Sequence, residues 1–375
     1  MAGSTRHHRA SGRACRCGVP GTDAAAHTRR CHRCPRGSVV TLRLGFLTHV
    51  TSGRTPADSL RIAIDLFQAA DELGFDTGWV AQHRFGDTDG SLPTPLVLLA
   101  AAAAATRRID LGTAVVVLPT EDPVALAEQA AVVDALSGGR LQLGVGTGGH
   151  SPTFAAVGAD ITRRRQDFVE RLETLTSALQ GAAINGTTET LSPSGQAITG
   201  RLWESTTSRE GAQRIGRNAN GLLLARSVYF SDTPTDEHQL PVVADYLASA
   251  PRAAQRIGVS RTVYPATDRR TSTADLADGV SRYAAQMVHE GHFPEGRSAA
   301  DYFERSYLHH GHPDQVVESL LADRITGYAT ELICQTAPGT VDPDKTVSAL
   351  ELIARQVAPA LRERLVEATT LVDAP

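Results

Sequence analysis

The chain has 375 residues, a net charge of −4 and 41% hydrophobic residues. That length holds one large domain or two, and a single α/β barrel uses most of it. The mildly acidic balance argues against nucleic-acid binding, and no apolar run reaches the roughly 18 residues that a membrane span needs.

Residues 1–40 stand apart. They carry eight arginines against one acid, Asp23, a net +7 that leaves −11 for the remainder. They contain no Leu, Ile or Phe, so they cannot build a core, and no apolar central region marks a secretory signal. Cys15, Cys17, Cys31 and Cys34, with His27 and His32 nearby, admit a zinc site. The tight Cys-x-Cys spacing and the lack of apolar neighbours favour instead a disordered basic extension. Cys334 lies in an apolar strand pattern and reads as a reduced core thiol, as expected of a cytoplasmic protein.

From residue 41 onward, strand and helix patterns alternate. Leu42–His49 reads as a strand, and Pro56–Leu73 as a helix stopped by Gly74. Trp79–Gln82 is a short strand and Pro95–Thr106 a helix. Ile109–Leu118 is a nearly continuous apolar strand of the kind buried on both faces in a parallel sheet. Pro123–Leu136 is helical, Leu141–Gly146 a strand and Thr162–Leu179 a helix. Residues 182–200 lack periodicity and form an excursion before the fifth strand, which opens at Leu202 and Trp203. Gly221–Leu224 is the sixth strand, Leu240–Ile257 a helix and Arg261–Tyr264 the seventh strand. Residues 268–310, rich in Ser, Thr, Asp, Gly and Arg, read as a mobile lid insertion. Pro313–Leu321 is helical, Glu331–Gln335 is the eighth strand and Val347–Leu365 closes with a helix. Eight strands with intervening helices predict a (β/α)8 TIM barrel spanning residues 41–375, with catalytic groups at the carboxyl ends of the strands.

That filter selects His83, which directly follows a buried strand. His49 and His150 also follow strands, but each alone reads as a surface or satisfied histidine. Gly144, Gly146 and Gly148 alternate after the fourth strand and would let a flat ligand approach the backbone. After the fifth strand, Ser205, Thr206, Thr207 and Ser208 cluster at the amino end of a short helix. Unpaired N–H groups and the helix dipole make such a place a phosphate site. One of these hydroxyls is needed for a helix cap, and four exceed that need. His309, His310 and His312 lack any carboxylate or thiol spacing for a metal, so no metal is expected. No GxSxG elbow, Walker motif or HExxH occurs, which leaves hydrolase and kinase readings without support.

Four segments together resemble the bacterial luciferase-like, flavin-dependent monooxygenases. Trp79-Val80-Ala81-Gln82-His83-Arg84-Phe85 is similar to a family pattern that usually reads Trp-Val-x-Glu-His-His-Phe. Leu111–Thr120, followed by Asp122-Pro123-Val124 and Ala127-Glu128-Gln129, resembles its third strand. Leu136–Gly146 resembles the fourth-strand entry, and Glu204–Ser208 the turn that holds the FMN phosphate. The likeness runs over residues 41–225 and loosens beyond them.

The resemblance implies an enzyme that binds reduced FMN, lets O2 add at the flavin C(4a) position and oxidises a small organic substrate. It implies that His83 is the catalytic histidine, that Ser205, Thr207 and Ser208 bind phosphate, and that Glu204 contributes through its backbone. It implies a non-prolyl cis peptide between Ala114 and Val115 beneath the flavin ring. Two cofactor positions depart from luciferase: Thr147 replaces a phosphate-binding arginine, and Gly146 a cysteine against the flavin. Arg209 or Arg226 is a candidate for the missing charge. Gln82 and Arg84 replace the usual Glu and second His, so light emission does not follow. A separate NAD(P)H:flavin reductase is expected, because no second dinucleotide site is visible, and a homodimer is expected. Two alternatives stay open: a deazaflavin-dependent oxidoreductase on the same barrel, and a non-catalytic flavin-binding protein.

Overall fold

In the computed structural model, which describes residues 42–51, 55–85, 92–228, 233–337 and 342–372, eight parallel strands close on themselves. They are β1 (Arg43–Thr48), β2 (Thr77–Val80), β3 (Asp110–Thr113), β4 (Leu141–Gly146), β5 (Leu202–Ser205), β6 (Gly221–Leu224), β7 (Ile257–Pro265) and β8 (Glu331–Gln335). Closure is made at β8, where Ile333 pairs with Gly45 of β1 and with Ser260 of β7. The expected (β/α)8 barrel is therefore present. The expectations for residues 1–40, including the four cysteines, lie outside the described residues.

Local chemistry fixes the helices between the strands. Helix α1 (Pro56–Leu73) starts where Thr55 accepts the Asp58 N–H, with Pro56 in the first turn, and stops at Gly74 in the left-handed region at φ 82°. Helix α2 is Pro95–Ala105, and α3 (Pro123–Ser137) repeats the α1 device with Asp122 as its cap and Gly138 at φ 70° as its stop. The outer core between strands and helices is built from Leu, Val, Ala and Phe, with Phe67, Leu99, Leu111 and Leu141 fully buried.

The floor of the barrel is made by two indoles. Trp79 and Trp203 meet edge to face at 5.7 Å, among Leu47, Leu223 and Ile333. Each indole N–H is satisfied, Trp79 by Glu331 Oε1 at 2.7 Å and Trp203 by Gln142 Oε1 at 2.9 Å. Glycines make the room: a Cβ at Gly112 would stand 2.2 Å from Trp79 Cε3, and one at Gly221 would stand 2.2 Å from Trp203 Cε3. Gly221→Ala is therefore expected to destabilise the protein by about 1–3 kcal/mol through overpacking. Urea unfolding measures it, and an unchanged midpoint would contradict this account of the floor.

Glu331 makes stability depend on pH. Burial pushes its carboxyl from the ordinary 4.5 up to about 7, against the pull of Arg43, whose half-exposed guanidinium lies 3.5 Å away. The folded state thus holds the proton more tightly than the unfolded chain. The resulting stability is complete below 4.5 and is lost as pH rises through about 7. Gln at 331 would keep an acceptor for Trp79 and remove this slope. Melting temperatures of Glu331→Gln and wild type should diverge between pH 5 and pH 8; parallel curves would refute the assignment.

Three sequence expectations change. The third strand is not continuous: it breaks between β3 and a two-residue extension, Val116–Val117, at the Ala114–Val115 peptide, which is cis. The seventh helix, α7, spans Thr235–Ser249 rather than Leu240–Ile257, with Pro241 inside it. Pro241 lies in the second turn, where its missing N–H removes one backbone bond, and Ile257 opens β7 instead. The insertion after strand seven is present, but it is helical rather than an irregular loop. It forms α8 (Arg269–His289), α9 (Ala299–Arg305) and a short strand, Leu308–Gly311, beside β7. Leu276, Val280, Tyr283, Ala284 and Met287 supply a buried stripe on α8, masked in the sequence by the polar residues between them.

Candidate active site

The end of β2 and the end of β1 meet in a histidine pair. His83 Nε2 lies 3.0 Å from His49 Nδ1, and the His83 backbone N–H donates to Leu92 O at 3.0 Å. The two rings share a hydrogen bond, so His49 sets which nitrogen of His83 carries the proton. Sequence reasoning left His49 as a lone histidine. Its signal was position: it follows β1 two residues after the inward-facing Leu47.

Next to this pair stands the break in the third strand. Ala114 N–H donates to Val80 O at 2.8 Å, and Val115 O accepts from Gln82 N–H at 3.4 Å. Ala114 and Val115 pack against the barrel's inner cluster. A Cβ at Gly146 would stand 2.6 Å from Val115 Cγ2 and 3.8 Å from Ser205 Cβ. Val115, Gly146 and Ser205 therefore converge from three strand ends, with the Val115 side chain seated against the bare backbone of Gly146. Thr147 is half-buried between Gly146 and Gly148, and Gly148 adopts φ +64° against Val117.

Beyond β5 the hydroxyls divide. Ser208 caps α6 (Arg209–Arg217) by accepting the Gly211 N–H at 3.1 Å, and the Ser208 N–H donates to Thr206 Oγ1 at 3.1 Å. Thr206 and Ser208 thus build the turn, while half-buried Ser205 and exposed Thr207 take no part in those bonds. Ser208 Oγ also lies 3.3 Å from Thr206 Oγ1, and either hydroxyl can be the donor.

Glu204 points the other way. Its fully buried carboxylate takes Arg214 Nη2 at 2.7 Å and Asn220 Nδ2 at 2.9 Å, outside the barrel wall. Its side chain is therefore committed away from the hydroxyl turn. Arg209 also turns outward, to Asp245 of α7 at 2.6 Å, with its side chain 66% exposed. Arg226 lies over the Tyr283 ring at 4.7 Å.

His309 and His310 diverge, one to Ser319 at 2.8 Å and the other to Ser272 at 2.9 Å. Burial lowers both imidazoles to about 4, which keeps them neutral. His312 caps α10 (Pro313–Ala322). Among the described residues no group of three or more His, Cys, Asp or Glu is placed to hold a metal, and no helix is long and apolar enough to cross a membrane.

The profile of the family described as luciferase-like monooxygenase matches residues 42–331, well beyond the four segments that carry the sequence resemblance. The 4-hydroxyprotoasukamycin monooxygenase of Streptomyces nodosus subsp. asukaensis is 26% identical over 82% of this chain and 88% of its own. The alkanal monooxygenase alpha chain of the Kryptophanaron alfredi symbiont is 37% identical over 32% of this chain, and the match spans only 34% of that relative. Among solved structures, monooxygenase RslO1 from Streptomyces bottropensis superposes with TM-score 0.73 at 22% identity, covering 85% of this chain and 99% of that one. The oxygenating constituent of 3,6-diketocamphane monooxygenase from Pseudomonas putida, in complex with FMN, gives 0.68 at 18%, over 85% and 98%. The F420-dependent tetrahydromethanopterin reductase of Methanopyrus kandleri gives 0.60 at 17%, over 86% and 99%. At these identities the structural likeness shows a shared fold. The chain belongs to the luciferase-like monooxygenase family.

Proposed function

We propose that the protein is a reduced-FMN-dependent monooxygenase that oxidises a small organic substrate with O2. One observation carries this reading: Val115, Gly146 and Ser205 converge from three strand ends, with the His49–His83 pair on the neighbouring strand ends. Bound reduced flavin would supply the electrons that activate O2.

The chain's own residues hold and protonate. Ala114, Val115, Gly146 and Thr147 would flank the ring. Ser205, Thr207, Ser208, the Glu204 backbone and the first N–H groups of α6 would hold the phosphate. His83, paired with His49, would take or give a proton at the reacting centre. The Gly144–Gly148 run packs against Thr113, Val115 and Val117, and a separate NAD(P)H:flavin reductase would supply the reduced flavin. The buried, unpaired Cys334 suits a cytoplasmic setting.

Titration with FMN and with a deazaflavin tests the cofactor. Ser205→Ala and Ser208→Ala should each weaken FMN binding by about 1.5–3 kcal/mol, the loss of one hydrogen bond to a charged group. Tight binding of deazaflavin alone would overturn the FMN assignment.

A homodimer fits the outer face of α2 and α3. Val97 is 67% exposed, Leu136 66% and Val132 45%, with exposed Ala101 and Ala104 on the same side. Such a patch suits a second copy of itself. Leu136→Glu should shift sedimentation from dimer to monomer; a monomeric wild type at micromolar concentration would contradict this.

A further inference from the structure

Gln82, buried between β2 and His83, commits its whole amide. Nε2 donates to Pro93 O at 2.9 Å and to Glu121 Oε1 at 2.7 Å, while Oε1 accepts the Val117 N–H at 2.8 Å. Its backbone N–H reaches Val115 O at 3.4 Å. Both ends of the Ala114–Val117 bulge are thus tied to the segment that carries His83. The anchor is itself held: Arg84 Nη2 bonds the Glu121 carboxylate, and Arg171 of α5 (Arg164–Leu179) bonds the Glu121 carbonyl.

We propose that Gln82 is the positioning residue of the flavin pocket, fixing the bulge that presents Val115 to the ring, with Glu121 as its anchor. The consequence for flavin rests on the function proposed above; the bridge itself does not.

The bridge requires an amide. Two donated bonds and one accepted bond use an NH2 and a C=O in the places where Gln offers them. A carboxylate at 82 would still accept from Val117, but it would face two acceptors, Pro93 O and the Glu121 carboxylate. It could bridge only when protonated, because two carboxylates at this separation resist joint ionisation. The charged and titratable groups around it are Glu121, Arg84, Arg171 and the His83–His49 pair. Arg84 and Arg171 are already engaged with Glu121.

The test uses Gln82→Glu and the double variant Gln82→Glu/Glu121→Gln. FMN affinity, read by fluorescence quenching, and melting temperature are both measured at about pH 5.5 and about pH 8.5. Gln82→Glu should bind FMN about as well as wild type at the lower pH and about tenfold more weakly at the higher one. Its melting temperature should fall with pH by several degrees more than that of wild type. The double variant, with the amide and carboxylate exchanged, should recover most of both losses. A Gln82→Glu protein without added pH dependence, or a double variant no better than the single, overturns the bridge. A wild type that binds no flavin removes the proposed function alone, and the melting temperatures still decide the role of Gln82.

Discussion

Replacing His83 by alanine is expected to slow substrate oxidation by about 10²–10⁴-fold, the range for loss of a positioned acid or base. FMN affinity should stay within a few fold of wild type, because the residues proposed to hold the phosphate and the ring come from other strand ends. His83 is half-buried at the end of β2, 3.0 Å from His49 and one residue after Gln82, whose backbone N–H reaches the Val115 carbonyl. His49→Ala should have a smaller effect and should shift the pH profile of kcat, since it removes the partner that fixes the tautomer. Steady-state turnover with reduced FMN, O2 and substrate measures both. Wild-type turnover in His83→Ala would leave this residue a shaping role only.

Asp323→Ala is expected to destabilise the fold by about 3–5 kcal/mol, because it strands a buried cation. Arg261 on β7 and Asp323 are 0% and 1% exposed and pair at 2.6 Å. Arg261 also bonds Gln239 Oε1 at 2.9 Å and Ser260 O at 2.8 Å. Burial would raise the Asp323 carboxyl, but Arg261 and the Ile325 N–H hold it below the usual carboxylate value. A depressed carboxyl contributes stability above its unfolded value and loses it as pH falls through the folded one. Wild type should therefore lose stability on acidification more steeply than Asp323→Ala. Urea unfolding at pH 7 and at pH values below 3.8 measures both effects. The double variant Arg261→Met/Asp323→Leu should recover most of the loss, because replacing both partners leaves no unpaired charge. A cost below about 1 kcal/mol in Asp323→Ala would show that the guanidinium finds water or another partner.

Much of the barrel is legible in the chain because single residues punctuate it. Gly74 and Gly138 stop helices in the left-handed region, and Pro56, Pro95 and Pro123 sit in first turns. The bounds of α1, β4 and β8 accordingly follow from the sequence. The helical insertion between β7 and β8 was hidden because its apolar residues are few and are separated by Ser, Asp and Arg. Composition suggested a loop where spacing at four and seven residues made a helix. In the hydroxyl turn, sequence placed four groups together but could not divide them. Only the geometry gives Thr206 and Ser208 to the turn. The same holds for Arg209, whose partner, Asp245, lies 36 residues away. His49 was hidden because its partner comes from another strand, and no local pattern reports a contact across 34 residues.

The central claim is tested most directly by rapid mixing. Protein loaded with reduced FMN is mixed with O2, with and without an added aldehyde or other small organic substrate, and flavin absorbance is followed. The account predicts reoxidation kinetics distinct from those of free reduced FMN, altered by substrate, with one O2 consumed per product formed. Kinetics identical to free flavin and indifferent to substrate would contradict it.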